Sequence, residues 1–190
     1  MSDAEGPTIA PATVDDVDDV ADLWIALAAG QRRHGSALLA ESNRAAVREW
    51  VAQSVVTGEL LVVRDGDGDS DDDPIGFVAF SLDREGYDRD RVRGTVSNLF
   101  VVPGRRGEGI GADLLDAAER ALAAAGAEVA ALEALADNER ARAFYADRGY
   151  GLHRVELTKS LSEAPGDEDG EGDAADEGGA DGDEPATGTE

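Results

Sequence analysis

The sequence of 190 residues contains no cysteine, a single lysine and no long apolar run. Without cysteine, the chain can form neither a disulfide nor a thiolate zinc site. No stretch approaches the roughly 20 apolar residues that a membrane-spanning helix needs, and residues 1–7 lack the basic and apolar pattern of a secretory leader. We therefore predict a cytoplasmic protein with one ordinary domain, or one domain and a tail.

Positive charge is also scarce, because 42 Asp and Glu residues face 17 Lys and Arg residues, which gives a net charge of −25. Nucleic-acid and anionic membrane surfaces require clustered cations, so the sequence argues against both as partners. All bases but Lys159 are arginine. This composition is typical of salt-accumulating cytoplasms, where cations screen the repulsion. It predicts a salt-adapted, haloarchaeal-like protein, the alternative being an acidic mesophilic protein with an acidic tail.

Two acidic segments interrupt the globular pattern. Residues 162–190 combine acids and glycines with no base and no aromatic residue, so they predict a disordered acidic tail after a folded domain over 7–161. The acids of 65–73 are spaced as in a calcium loop, but Ser70 and Gly76 stand where that loop needs Gly and Glu. We predict a solvated hairpin loop there and no metal site.

Apolar periodicity and turn residues predict a mixed α/β sheet. The predicted strands are 7–11, 59–64, 74–82, 95–102, 128–135 and 151–161. Two helices follow the first strand, one beginning at a capping-box-like Thr13 and ending at Gly30, the other capped by Ser42. The remaining helices are predicted over 109–125 and 138–148, each followed by a glycine.

The most informative stretch is 98–112, NLFVVPGRRGEGIGA. An apolar strand leads into two arginines and three glycines, at 107, 109 and 111, and a helix follows. Glycine lets the backbone approach a ligand closely, and a helix start offers unpaired N–H groups and a positive dipole end. This combination is suited to bind a phosphate or a diphosphate.

Three phosphate-binding patterns compete for this stretch. A P-loop is excluded, because no Gly-Lys-Ser/Thr stands at the helix start. Gly107-x-Gly109-x-x-Ala112 formally satisfies the dinucleotide fingerprint, but 103–106 separate it from the strand, and no ribose-binding acid ends the next strand. The third pattern, Arg/Gln-x-x-Gly-x-Gly/Ala, is matched from Arg106 to Gly111.

With its neighbours, this pattern resembles the GNAT superfamily of acyl-CoA-dependent N-acetyltransferases over about 7–161. The resemblance adds the preceding strand and an ordered set of residues on and after the last predicted helix. That set is Asn138, Ala141, Phe144, Tyr145, Gly149 and Tyr150. The resemblance implies the GNAT fold, an α/β arrangement with a mostly antiparallel mixed central sheet and helices on both faces.

The resemblance also implies acetyl-CoA as co-substrate and no metal. Backbone groups of Leu99, Phe100 and Val101 would pair with the pantetheine arm, although these are core-type side chains in any case. Arg106 would stand at the start of the diphosphate loop, and Asn138 would hydrogen-bond the cofactor or simply cap its helix. The diphosphate would be held by the N–H groups of Gly107, Glu108, Gly109, Ile110, Gly111 and Ala112. The Glu108 carboxylate repels phosphates, so it must point outward or make cofactor affinity depend on salt.

Two residues are the predicted catalytic groups. Tyr145 lies two helical turns after Asn138 and hence on the same face; the resemblance implies that it donates a proton to the departing thiolate, the alternative being a packing aromatic. Glu133 matches the glutamate that acts as a base through water in relatives that acetylate protein N-termini, the alternative being an ordinary strand carboxylate. Neither His34 nor His153 is paired with a nucleophile or metal ligand in the sequence.

The sequence thus predicts acetyl transfer from acetyl-CoA to a primary amine, either a protein N-terminus or a small molecule. The alternatives are an acyl-CoA sensor without turnover and, less favoured, a nucleotide-dependent oxidoreductase. Homodimers are common in the family, so a homodimer is compatible with the resemblance, although the sequence carries no interface signature.

Overall fold

The computed structural model describes residues 6–66, 73–83 and 89–161. The chain divides into two compact units, Met1–Gly151 and Leu152–Glu190. The predicted tail over 162–190 and most of the predicted acidic hairpin loop lie outside the described residues.

The described part of the first unit contains five strands and four α-helices. The strands are β1 (Thr8–Pro11), β2 (Leu60–Arg64), β3 (Gly76–Leu82), β4 (Arg93–Val101) and β5 (Val129–Leu132). The helices are α1 (Val17–Gln31), α2 (Arg44–Thr57), α3 (Ile110–Ala124) and α4 (Glu139–Ala146).

The strands form one sheet in the order β1-β2-β3-β4-β5. The first four are antiparallel neighbours, and β5 runs parallel to β4. A parallel pair needs a crossover connection, and α3 supplies it. The predicted mixed, mostly antiparallel sheet is confirmed.

Helices cover both faces of this sheet, as predicted. One core cluster joins the sheet to α1 and α2 and contains Val20, Val51 and Phe77. The other joins it to α3 and contains Val78 and Leu114, with α4 side chains packed against it. Because both faces are covered, β2 and β3 are apolar along most of their length instead of alternating with polar residues.

A buried ion pair fixes the start of the first helical segment to the sheet. The Asp16 carboxylate accepts hydrogen bonds from the Thr13 amide at 2.7 Å and the Thr13 hydroxyl at 3.0 Å, which confirms the predicted capping box. The same carboxylate pairs with Arg64 at the end of β2, and the two side chains are 4% and 6% exposed. The pair therefore connects the beginning of the helical layer with the second strand.

Several predicted boundaries are wrong. Residues 152–161, inside the predicted sixth strand, form neither helix nor strand, because strand-like composition is only a weak preference until a partner edge pairs with it. The first helix continues past Gly30 to Gln31, and Gly35, at φ 86°, ends the 3-10 turn that follows. Asn43, rather than Ser42, is the N-cap residue of α2.

The described helices were also searched for membrane spans. None of them is long and apolar enough to cross a bilayer.

Asp16→Ala should lower the free energy of unfolding by about 3–5 kcal/mol, because it leaves the Arg64 charge buried without this carboxylate. Denaturant titration followed by circular dichroism, in molar KCl, measures this. The matched control is Asp18→Ala, since Asp18 pairs with Arg48 at an exposed position. Equal losses in both variants would contradict a special role for the buried pair.

Candidate functional site

The site begins where β4 and β5 separate. Residues Arg93–Val96 of β4 pair with Val129–Leu132, and β4 then continues to Val101 with no described strand beside it on that edge. Unpaired backbone groups on such an edge can accept an added extended chain. The second half of β4 is therefore an open binding edge.

The register decides which β4 residues face this edge. The Val102 amide donates to the Ile75 carbonyl at 2.9 Å, toward β3, and successive residues point their backbone groups to alternate sides. The backbone groups of Leu99 and Val101 thus face the open edge, whereas those of Phe100 face β3. Of the three residues expected to pair with a cofactor arm, two have their backbone groups on the correct side.

A β-bulge at Ser97 changes which β4 side chains face each layer. Asn98 pairs with Ala79, but Val96 already pairs with Phe80, so Ser97 is the extra residue. The Ser97 hydroxyl donates to the Ala79 carbonyl at 3.3 Å. Bulges are common beside active sites because they redirect side chains. Here the bulge turns Asn98 toward the α1–α2 layer, a feature that nothing in the sequence reasoning identified.

An open cavity of about 250 Å³ lies on that face, beside the bulge. Two tryptophans, one from α1 and one from α2, form its apolar walls, and Asn98 supplies part of its polar lining. The lining residues are Trp24, Leu38, Asn43, Ala46, Val47, Trp50 and Asn98. No ionisable side chain is among them, so the cavity suits an uncharged apolar group.

Free backbone amides lie between the end of β4 and the first turn of α3. Gly107 and Gly109 both adopt φ of 90°, a conformation that other residues rarely adopt. The amides of 107–111 donate no backbone hydrogen bond within the described residues. Consecutive amides of this kind form an anion-binding nest at a helix start. We call residues 107–111 the amide nest.

Ala112 does not belong to this nest, contrary to the prediction. Its amide donates to the Gly109 carbonyl at 2.8 Å, because it is already inside the first helical turn. A 3-10 turn over Pro103–Arg105 also separates the nest from β4. In a dinucleotide-binding turn, the glycines follow the strand directly, so the geometry does not fit that alternative.

The neighbouring Arg105 compensates for the unfavourable carboxylate in the nest. Its Nε donates to Glu108 at 2.9 Å, and its guanidinium also pairs with Asp65 at the end of β2. The pKa of Arg105 is raised by these hydrogen bonds, first by Asp65 and then by Glu108. Arg105 thus draws the Glu108 charge to one side of the loop, a role that the sequence analysis missed.

Arg106 lies against the open edge of β4. Its Nε donates to the Val101 carbonyl at 2.8 Å, and its guanidinium is 5.2 Å from the centroid of the Phe100 ring. Its pKa lies below the usual value, first because of desolvation and then because of the charges of Arg140 and Arg33. Arg106 therefore lies between the edge and the nest, and its role toward a cofactor stays a prediction.

Asn138 caps α4, which is one of the two roles predicted for it, the other being a hydrogen bond to the cofactor. Its Oδ1 accepts a hydrogen bond from the Ala141 amide at 3.1 Å. The side-chain Nδ2 donates to no described residue and remains able to bind a ligand. The capping interaction holds it in place at the start of the helix.

Tyr145 is packed on α4 among aromatic rings. Its ring makes edge contacts with Phe144 and Tyr150, with centroids 5.2 and 5.9 Å apart. Its hydroxyl has no hydrogen-bond partner among the described residues, whereas the Tyr150 hydroxyl donates to Glu119 at 2.7 Å. Burial raises the pKa of Tyr145 above its usual value, so the phenol keeps its proton at neutral pH.

Glu133 is exposed and directly follows β5, which ends at Leu132 and is shorter than the predicted strand. Leu132 is paired with Val96, so Glu133 is the first residue beyond the paired region, as the bulged Ser97 is on β4. Among the described residues, no group of His, Asp and Glu side chains could hold a metal ion.

Comparison with known proteins gives consistent matches. Residues 40–150 match the sequence model of the Acetyltransferase (GNAT) family. A curated relative, an uncharacterized N-acetyltransferase of Archaeoglobus fulgidus, is 39% identical over 112 residues, which cover 54% of this chain and 71% of that protein.

Two solved structures share the fold. A GCN5-related N-acetyltransferase from Ralstonia eutropha has a TM-score of 0.64 and 24% identity, covering 83% of this chain and all of that one. The NatC complex bound to Gag peptide and CoA has a TM-score of 0.58 and 17% identity, covering 80% of this chain and 87% of that one.

Gly109→Ala should weaken the binding of inorganic pyrophosphate at least about tenfold, because a side chain disfavours φ of 90° and the nest must rearrange. Isothermal titration calorimetry measures the affinity. Gly104→Ala in the same loop is the control, since an added Cβ meets nothing within 4 Å there and its φ is not in the left-handed region. Unchanged affinity in the Gly109 variant would show that the nest is not the anion site.

Proposed function

The chain belongs to the acetyltransferase (GNAT) family, and from that premise we propose that it transfers the acetyl group of acetyl-CoA to a primary amine. The observation that carries this proposal is the open edge of β4, which is followed by the 3-10 turn Pro103–Arg105 and then by the amide nest. An extended pantetheine arm can pair with the backbone of Leu99 and Val101, as an added strand does. The diphosphate then meets the free amides of 107–111.

The thioester end of such a cofactor would lie toward the bulge and the split between the strands. Acetyl-CoA supplies the acetyl group as a thioester, and the amine nitrogen forms the new amide bond as the carbon–sulfur bond breaks. The departing thiolate needs a proton, and Tyr145 can provide it because a phenol is protonated at neutral pH. The free hydroxyl supports this role over that of a packing aromatic.

The attacking amine must first lose a proton from its ammonium form. Glu133 is exposed where β5 ends, so a water molecule can connect its carboxylate with the amine. In this proposal Glu133 accepts the ammonium proton through water and releases it to solvent, and Tyr145 protonates the departing thiolate. The second proton that the nitrogen loses as the amide forms returns to Tyr145, so the reaction releases one net proton.

The acceptor would enter from the α1–α2 side, where the cavity beside Asn98 is lined by Trp24 and Trp50. Its uncharged lining suits an amine with an apolar group nearby. The NatC complex was solved with a peptide and CoA, and a protein N-terminus is accordingly one acceptor class; a small-molecule amine is the other. The salt-adapted character, the cytoplasmic location and a homodimeric state remain predictions.

Tyr145→Phe should lower the turnover number about a hundredfold, because the thiolate loses its proton donor, while the affinity for CoA stays unchanged. The assay follows amine-dependent release of free CoA thiol over a panel of peptides and small amines, in dilute buffer and in molar KCl. Tyr150→Phe is the control, since that hydroxyl is bound to Glu119.

Wild-type protein that binds CoA but releases no thiol with any amine would favour the sensor alternative over the proposed enzyme. Wild-type turnover in Tyr145→Phe would remove the role assigned to the phenol while leaving the reaction itself in place.

Glu133→Gln should lower kcat/KM about a hundredfold and remove the part of the pH profile that depends on an ionised carboxylate. Initial rates with a small amine that is an ammonium ion at neutral pH and carries no other charge, measured across pH, provide the test. Glu49→Gln on α2 serves as the control, because Glu49 is exposed and its loss removes the same charge. An unaltered pH profile in Glu133→Gln would assign the base to another group or to bulk water.

A further inference from the structure

Three arginines from different parts of the chain come together near the end of β4. Arg106 follows the strand, Arg33 lies in the 3-10 turn after α1, and Arg140 lies in the first turn of α4. One contact brings the turn to α4: a ring nitrogen of His34, Nδ1, lies 3.2 Å from the Asp137 carbonyl, just before the helix. The Nε of Arg33 donates to the other ring nitrogen at 3.2 Å.

None of these three arginines forms an ion pair with a described carboxylate. Six other described arginines do have acidic partners, namely Arg44, Arg48, Arg64, Arg89, Arg93 and Arg105. An ion pair is also lacking in the described residues Arg32, Arg91, Arg120, Arg142, Arg148 and Arg154. What distinguishes the three residues is therefore their position together beside the amide nest. After desolvation, the charges of Arg140 and Arg33 are what lower the pKa of Arg106. The charges of Arg33 and Arg140 therefore act on Arg106, and none of the three side chains is paired with a described carboxylate.

The place of this cluster points to the ligand. Arg106 immediately precedes the amide nest and bonds to Val101 on the open edge. An anion bound at the nest would also meet a protein of net charge −25, which repels anions at long range. Arg105 cannot offset this repulsion freely, because Asp65 and Glu108 already engage it. Uncompensated cations beside the nest would supply the missing attraction.

We propose that Arg33, Arg106 and Arg140 together bind a phosphate group of coenzyme A beside the amide nest. This inference rests on the proposed function and assigns two further cofactor-binding residues, Arg33 and Arg140, from outside the glycine loop. Guanidinium groups bind phosphate through paired, charge-assisted hydrogen bonds, and the exposed ends of these side chains are free to form them.

The test is calorimetric binding of CoA and of dephospho-CoA, at several KCl concentrations, to wild type, Arg33→Gln and Arg140→Gln. Each variant should bind CoA about tenfold more weakly, which corresponds to the loss of one charge-assisted contact. Arg120→Gln is the control, because Arg120 is exposed on α3 and its loss removes the same charge; it should change affinity less than about twofold.

The second ligand identifies the phosphate. If the variants bind dephospho-CoA as tightly as wild type does, the arginines contact the 3′-phosphate. If the variants still bind dephospho-CoA more weakly than wild type, the arginines contact the diphosphate. Either result supports the proposal. The weakened binding should also depend less on salt than that of the wild type.

Two results would overturn it. If both variants bind CoA as tightly as wild type, but raise the KM of carboxylate-bearing amines alone, the anion belongs to the acceptor. If they change neither, the cluster binds no anion of the reaction. In both cases wild-type CoA binding leaves the proposed function standing, whereas absence of CoA binding by the wild type would end the proposed function as well.

Discussion

The separation of β4 from β5 is the constraint on which the site depends. Four residue pairs hold the two strands together. Beyond them the backbone groups of Leu99 and Val101 face an edge with no described strand, where the Val101 carbonyl accepts a hydrogen bond from Arg106. Unpaired backbone groups on a sheet edge can be satisfied by an added extended chain, and the proposed cofactor binding rests on this property. The bulge at Ser97 lies at the point of separation, where it turns Asn98 toward one layer and leaves Leu99 in the other.

The two faces of the sheet carry different parts of the proposed site. The layer of α3 and α4 carries the amide nest, the cap residue Asn138 and the phenol of Tyr145. The layer of α1 and α2 forms the cavity with its two tryptophans. A cofactor lying in the split can therefore be held from one side while an acceptor approaches from the other. Arg33 lies in the 3-10 turn after α1, so in our proposal it would contact the cofactor from the α1 side.

Charge placement is as specific as backbone geometry in this acidic chain. The Asp16–Arg64 pair is buried and structural, and Arg105 neutralises a carboxylate that would otherwise repel phosphates. Arg33, Arg106 and Arg140 form no ion pair with a described carboxylate, and in our proposal they bind a phosphate instead. The excess carboxylates are left to solvent and salt.

The sequence by itself determined the order of the first five strands and the four helices and the place of the glycine loop, because periodicity, capping and glycine requirements are local. The candidates Arg106, Asn138 and Tyr145 came from the resemblance to the GNAT superfamily, and their roles toward a cofactor stay predictions. The sequence failed where pairing decides the outcome. The strand predicted over 151–161 did not form. The Ala112 amide proved to be hydrogen-bonded to the Gly109 carbonyl in the first turn of its helix. Only the tertiary structure decided the bulge at Ser97, the role of Arg105 and the arginine cluster. Each of these depends on contacts between residues far apart in the chain, which no local pattern records.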